Sequence, residues 1–188
     1  EEEKPEYLTV AFDVHAPTFR HEMFADYKGT RKPMAEELRQ QVPVIKDVLR
    51  AMHIEVIEKA GLEADDLLGT LSHRCEEKGM DVSIISGDRD TLQLATEHIK
   101  IRIPKTKQGK TEVEDYYAAD VQERYGVTPK EFIDVKALMG DTADNIPGVP
   151  GVGEKTATKI IQQYQTIENA YEHVDELKPP RASKNLKE

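Results

Sequence analysis

One cysteine stands in 188 residues. Cys75 has no partner for an internal disulfide, and no second Cys or paired His stands at zinc-site spacing, so it reads as a small buried side chain on a helix face. Long apolar runs are missing too. No stretch approaches the roughly 20 residues that span a bilayer, and "EEEKPEYL" has neither the basic start nor the apolar core of a signal peptide. A soluble, cytoplasmic protein with no membrane partner is expected. Basic charge is also scarce: the formal net charge of −10 argues against simple electrostatic wrapping of nucleic acid, though it does not exclude a locally basic surface. Six histidines are scattered, and no Ser, His and Asp arrangement suggests a covalent nucleophile.

What the chain does have is alternation. "YLTVAF" (7–12), "IEVI" (54–57), "VSIIS" (82–86) and "IKIRI" (99–103) are short, rich in β-branched residues and bounded by turn formers or charges, which predicts strands. Between them Leu38, Val42, Ile45, Leu49 and Met52 recur at helical spacing, with Pro43 expected to kink or break that helix. A second helix should carry Leu67, Leu68, Leu71 and Cys75 on one face and end near Gly79. The predicted class is α/β, a mainly parallel sheet flanked by helices. From about residue 116, "AADVQERYG", "TPKEFIDVKALMG", "GEKTATKIIQQYQ" and "TIENAYEHV" read as short helices, with Thr128 and Thr166 as N-caps. The expected organisation is a core over 1–115, a helical subdomain over 116–176, and a linker or the start of a further helix over 177–188.

Ligands of such sheets lie beyond the carboxyl ends of the strands. Asp13 follows "TVAF", Asp88 and Asp90 follow "VSIIS", and Glu63, Asp65 and Asp66 open the helix after "IEVI"; Asp141 and Asp144 start another loop. Each cluster alone is explained by helix-start or turn chemistry. Together they predict eight acids converging on one place, where mutual repulsion calls for cations. An all-oxygen set without His or Cys suits Mg²⁺ or Mn²⁺, and a pair of such ions is the usual equipment for in-line attack on a phosphodiester. Residues 14–50 hold seven basic against five acidic side chains, reversing the sign of the chain as a whole.

"FDVHAPTFRHEMFADYKGTRKPM", "GLEADD", "SGDRDTLQL" and "ALMGDTADNIPGVPGVGEKTA" resemble, in order and over nearly the whole chain, the amino-terminal 5′-nuclease domain of bacterial DNA polymerase I, within the flap endonuclease family. The resemblance implies the PIN-like 5′-nuclease fold with a helix–hairpin–helix subdomain, and two Mg²⁺ or Mn²⁺ ions. Asp13, Glu63, Asp65 and Asp66 would serve the first metal site, and Asp88, Asp90, Asp141 and Asp144 the second. Segment 14–34 would form an arch for a single-stranded 5′ end, with Tyr27 stacking on a base and Arg20, Lys28, Arg31 and Lys32 on phosphates. Asp13, Lys28 and Arg31 would stand nearest the chemistry. Gly148, Gly151 and Gly153, with Lys155 and Thr156 opening a helix, would grip duplex phosphates, often around a monovalent cation.

The implied substrates are DNA with a 5′ flap or 5′ end and RNA–DNA primer junctions, in replication and repair. A covalently linked polymerase is the implied partner, and a bacterial, nucleoid-associated setting the implied location. The resemblance also implies a further strand with an Asp well before Asp13, so the chain is expected to be a fragment that begins after it. Two other readings stay open: a DNA-binding fragment with little or no activity for want of that Asp, and a PIN-type ribonuclease. The "PGVPGVGEKTA" hairpin disfavours the last, because it points to duplex DNA.

Overall fold

The computed structural model describes residues 4–107 and 109–187 and divides into two compact units, one up to Thr70 and one from Leu71. The break falls inside a helix. Among the described residues no helix is long and apolar enough to cross a membrane.

The first unit pairs two short parallel strands, β1 (Thr9–Ala11) and β2 (Glu55–Ile57), with Val10 opposite Val56. Between them run α1 (Phe19–Met23) and α2 (Glu36–Ala51), and α3 (Ala64–Glu76) begins after β2. Leu8 and the start of the chain as described carry no helix. Residues 1–3 lie outside the described residues. Pro43 does not break α2, which runs through it as one helix. Proline removes one bond, to the carbonyl of Arg39, and both residues are exposed, where water can take that bond.

α3 ends as expected. Gly79, at φ +77, follows its last turn, with the Gly79 N–H donating to Glu76 O and Met80 N–H to Cys75 O. Its buried side is shifted from the apolar reading: Leu71 is 36% exposed and Ser72 only 2%. Leu68, Ser72, Cys75 and Glu76 lie at four- and three-residue steps, and that stripe turns inward.

The second unit holds nearly all the buried apolar side chains among the described residues. β3 (Val82–Ile85) lies parallel to β4 (Ile99–Lys107), with Val82 opposite Ile99. A strand not foreseen, β5 (Lys110–Tyr116), returns antiparallel to β4. "KTEVEDY" is largely exposed, so it carries polar residues where a buried strand would alternate. Lys107 pairs with Lys110, leaving two residues between the strands, and Gly109 at φ +78 supplies the left-handed turn. Ile99, Ile101 and Ile103 are buried on one side of β4.

The helices α4 (Ala118–Tyr125), α5 (Pro129–Met139), α6 (Glu154–Tyr164) and α7 (Ile167–Glu172) fall where the sequence places them. Thr128 accepts from the Glu131 N–H and Thr166 from the Asn169 N–H, confirming both caps. Val121, Val135, Leu138 and Ile161 fill the core. Two small strands, β6 (Gly140–Asp141) and β7 (Ile146–Pro147), close a hairpin after α5. The basic end forms a helix, α8 (Pro180–Lys187), with Ala182 and Leu186 buried.

Candidate active site

In the first unit Asp13 stands just beyond β1, and its Oδ1 accepts the Ala64 N–H at 2.7 Å. That bond ties the end of the strand to the first turn of α3, where unpaired N–H groups favour an acid. Asp66 accepts the Glu63 N–H at 2.8 Å and is gripped at both oxygens by Arg20, each bond 2.8 Å. The Arg20 guanidinium holds the Asp66 carboxyl below the usual carboxylate range, against the upward push of burial. Glu63 receives Lys28 Nζ at 2.7 Å and the Tyr27 hydroxyl at 3.0 Å. Asp65 lies exposed in the first turn of α3.

Tyr27 departs from the expected base-stacking role. Its ring is 5% exposed and packs edge-on against His21, so its faces are not open to a base and its hydroxyl positions Glu63. A basic loop such as "YKGTRK" gives no sign of this, because burial there is set by Glu63, a residue 36 positions away. Arg31 and Lys32 are exposed. A cavity of about 400 Å³ opens among Asp13, His21, Lys28, Arg31 and Glu63.

The Arg20–Asp66 pair has a pH signature. Asp66 is ionised below the ordinary range in the folded chain, so its pairing adds stability that is complete above the unfolded-state pKa. That stability is lost as pH falls through the lowered folded value. For Arg20→Gln, the gap in Tm from the native chain, measured in EDTA, is expected to be widest near neutral pH and to close in acid. A gap that does not change with pH would refute the assignment.

In the second unit Asp88 caps the 3₁₀ turn Arg89–Leu94, its Oδ1 accepting the Asp90 N–H at 2.8 Å, while Thr91 donates to its carbonyl. Asp141, on β6, uses Oδ1 to accept the N–H groups of Ala143 at 2.8 Å and Asp144 at 3.2 Å. Lys136, near the end of α5, joins the clusters: its Nζ lies 3.0 Å from Asp90 Oδ1 and 2.9 Å from Asp141 Oδ2. Burial pushes the Asp90 carboxyl up, and Lys136 only partly counters it. Burial also raises Asp141, but Lys136 and the N–H groups of Asp144 and Ala143 outweigh it, and the net direction is down. Sequence reasoning misses Lys136. The available signal was a lysine five positions before Asp141, close enough across the helix end to reach back to it.

The "GVPGVGEKT" hairpin is tightly built. Val149 N–H donates to Leu138 O, Val152 is buried, and Gly151 adopts φ +77 beneath the Arg181 side chain. Gly153 is the N-cap of α6 and offers no side chain to it, leaving Lys155 exposed and Thr156 partly so in the first turn. Asn185 of α8 donates to Pro150 O at 2.5 Å.

Among the described residues no three His, Cys, Asp or Glu side chains stand together so as to hold a metal ion where they lie. Glu63, Asp66, Asp90 and Asp141 already face internal ammonium or guanidinium groups. Carboxylate oxygens are the donor type that a hard divalent cation takes.

Parallel strands carry acids beyond their carboxyl ends, and a glycine hairpin opens a helix in the second unit. Residues 1–126 match the model described as 5′-3′ exonuclease, N-terminal resolvase-like domain, and residues 127–188 match the 5′-3′ exonuclease, C-terminal SAM fold. The chain belongs to the 5′-3′ exonuclease family. It is 47% identical over 187 residues to DNA polymerase I of Bacillus caldotenax and 46% identical over 188 residues to that of Bacillus subtilis, covering 100% of this chain and 21% of each relative. The chain thus spans about one fifth of the length of these curated relatives. Among solved structures, bacteriophage T5 5′-exonuclease with bound zinc matches at TM-score 0.82 and 26% identity, over 98% of this chain and 70% of that one.

Proposed function

We propose that the chain is a metal-dependent, structure-specific 5′-3′ exonuclease and flap endonuclease. It acts on DNA 5′ ends and flaps and on RNA–DNA primer junctions, as part of a DNA polymerase I in the bacterial cytoplasm. The observation that carries this reading is the match of both exonuclease models, end to end, to a chain whose acids follow its strands. The T5 relative, solved with divalent zinc, and the T5 flap endonuclease, solved with DNA and metal ions, support the substrate and the cofactor class.

Asp13, Glu63, Asp65 and Asp66 would hold one divalent ion, Mg²⁺ or Mn²⁺, and Asp88, Asp90, Asp141 and Asp144 a second. When bound, such ions supply the charge that makes a water acidic enough to attack a phosphodiester near neutral pH. The chain's own residues do the positioning. Tyr27 and Lys28 fix the Glu63 carboxylate, Arg20 fixes Asp66, and the Asp88 turn sets Asp90. Arg31 and Lys32 would meet phosphates of the 5′ strand. Gly148, Gly151, Gly153, Lys155 and Thr156 would grip the duplex through backbone and charge, with a monovalent cation at the hairpin.

A second reading, a DNA-binding chain of low activity, is favoured by the internal cations on Glu63, Asp66, Asp90 and Asp141. A 5′-flap cleavage assay with Mg²⁺ and with EDTA separates the two. Cleavage in Mg²⁺ that EDTA abolishes is expected, and tight flap binding without cleavage would establish the second reading instead.

A further inference from the structure

We infer that Lys136 is a positioning residue that acts as a built-in competitor for the second divalent ion, holding Asp90 and Asp141 together when no ion is bound and setting the ion concentration at which they are released. This rests on the reading of Asp88, Asp90, Asp141 and Asp144 as one metal site. Asp141 has two oxygens, and Oδ1 is committed to the N–H groups of Ala143 and Asp144. The oxygen left for an ion is Oδ2, and that is the one Lys136 holds at 2.9 Å. The same ammonium holds Asp90 Oδ1 at 3.0 Å, so one flexible cation bridges a carboxylate from the turn after β3 and another from the strand after α5.

The ammonium occupies the role an ion would take, and it can be displaced. Lysine presents a point charge on a four-carbon stem rather than a rigid fork, and the Lys136 stem runs beside a cavity of about 140 Å³ walled by Phe132, Val135 and Met139. Removing the ammonium would leave two carboxylates close together in a partly buried place, which repel one another and attract a cation more strongly. If the bridged form fills about nine-tenths of the ion-free population, the apparent ion affinity is weakened about tenfold.

The test is Mn²⁺ binding without DNA, read by electron paramagnetic resonance on the native chain and on Lys136→Met, Lys136→Arg and Asp141→Asn. Lys136→Met is expected to bind one Mn²⁺ about tenfold more tightly, whereas Lys136→Arg, which keeps a cation between the two carboxylates, should bind it no more tightly than the native chain. Asp141→Asn is expected to lose one Mn²⁺ per chain. If Asp141→Asn keeps every Mn²⁺, the second-site reading falls and the competitor role with it. If Asp141→Asn loses one but Lys136→Met binds no more tightly, or Lys136→Arg tightens equally, the competitor role alone is overturned. A measurement on the native chain does not depend on Lys136→Met folding. The Lys136 ammonium resonance is expected to move toward that of solvated lysines as Mg²⁺ is added, and an unmoved resonance at saturating Mg²⁺ overturns the proposal.

Discussion

Asp88→Asn is expected to abolish cleavage while leaving DNA binding at low salt unchanged. The argument turns on what asparagine keeps and what it loses. Asp88 Oδ1 accepts the Asp90 N–H at 2.8 Å and caps the turn Arg89–Leu94. An asparagine side-chain carbonyl accepts the same bond, so the turn, the position of Asp90 and the Thr91 contact should survive. What goes is one negative charge beside Asp90, whose carboxyl feels both Asp88 and Asp141. A hard divalent ion depends on that charge far more than a turn does. Changes one shell further out already cost about 10–100-fold, so loss of a direct ligand should cost at least about a hundredfold in cleavage rate. DNA binding should hold, because the proposed phosphate contacts at Arg31, Lys32 and the Lys155 hairpin are separate side chains. The measurement is single-turnover flap cleavage in Mg²⁺ beside flap binding in EDTA, with Tm as a folding control. Equal loss of cleavage and binding would remove Asp88 from the metal site and return it to a purely structural cap.

The features legible in the sequence were those decided by neighbours in the chain. Thr128 and Thr166 cap their helices because a hydroxyl three residues before an N–H is a local geometry. Asp13 and Asp88 stand at strand ends because they directly follow β-branched runs. What escaped was decided at a distance. β5 is mostly polar, because an exposed strand has no buried face to write into its sequence. Tyr27 looks like part of a solvated basic loop until Glu63 and His21 close on it. Lys136 belongs to an unremarkable helix end, and its meaning appears only when the hairpin turns Asp141 back and β3 delivers Asp90. At the start of α3, Glu63 and Asp66 of "GLEADD" are held by Lys28 and Arg20, so that crowding is stabilised by partners that lie 35 and 46 residues earlier in the chain.

The second large effect concerns that hairpin. Gly148→Ala is expected to unfold the segment that carries Asp141, whereas Gly153→Ser, five residues on, should be neutral or slightly stabilising. A Cβ at Gly148 would lie 2.1 Å from the carbonyl carbon of Met139 and 2.3 Å from the Gly140 nitrogen, all backbone atoms that no rotamer change can move aside. Gly140 is boxed in from the other side: it sits at φ +70, and its own Cβ would lie 2.2 Å from the Gly148 nitrogen. The two glycines let the end of α5 and the chain leaving β7 pass at backbone contact, which is what pairs Gly140 with Pro147 and Asp141 with Ile146. A methyl forced between them must push the strands apart. Overpacking alone costs about 1–3 kcal/mol, and a clash with no side chain to yield should reach at least the top of that range. For a chain of this size about 3 kcal/mol corresponds to a Tm lower by roughly 6–12 °C. At Gly153 a Cβ meets nothing within 4 Å, and its φ of −98° and ψ of 179° are those of an N-cap, where serine is at least as good as glycine. Thermal unfolding of both variants decides the matter. Unchanged Tm in Gly148→Ala would mean that the backbone crossing is looser than its geometry, and the placement of Asp141 beside Lys136 would lose its support; a drop in Gly148→Ala accompanied by loss of flap cleavage would tie that crossing to the chemistry through Asp141.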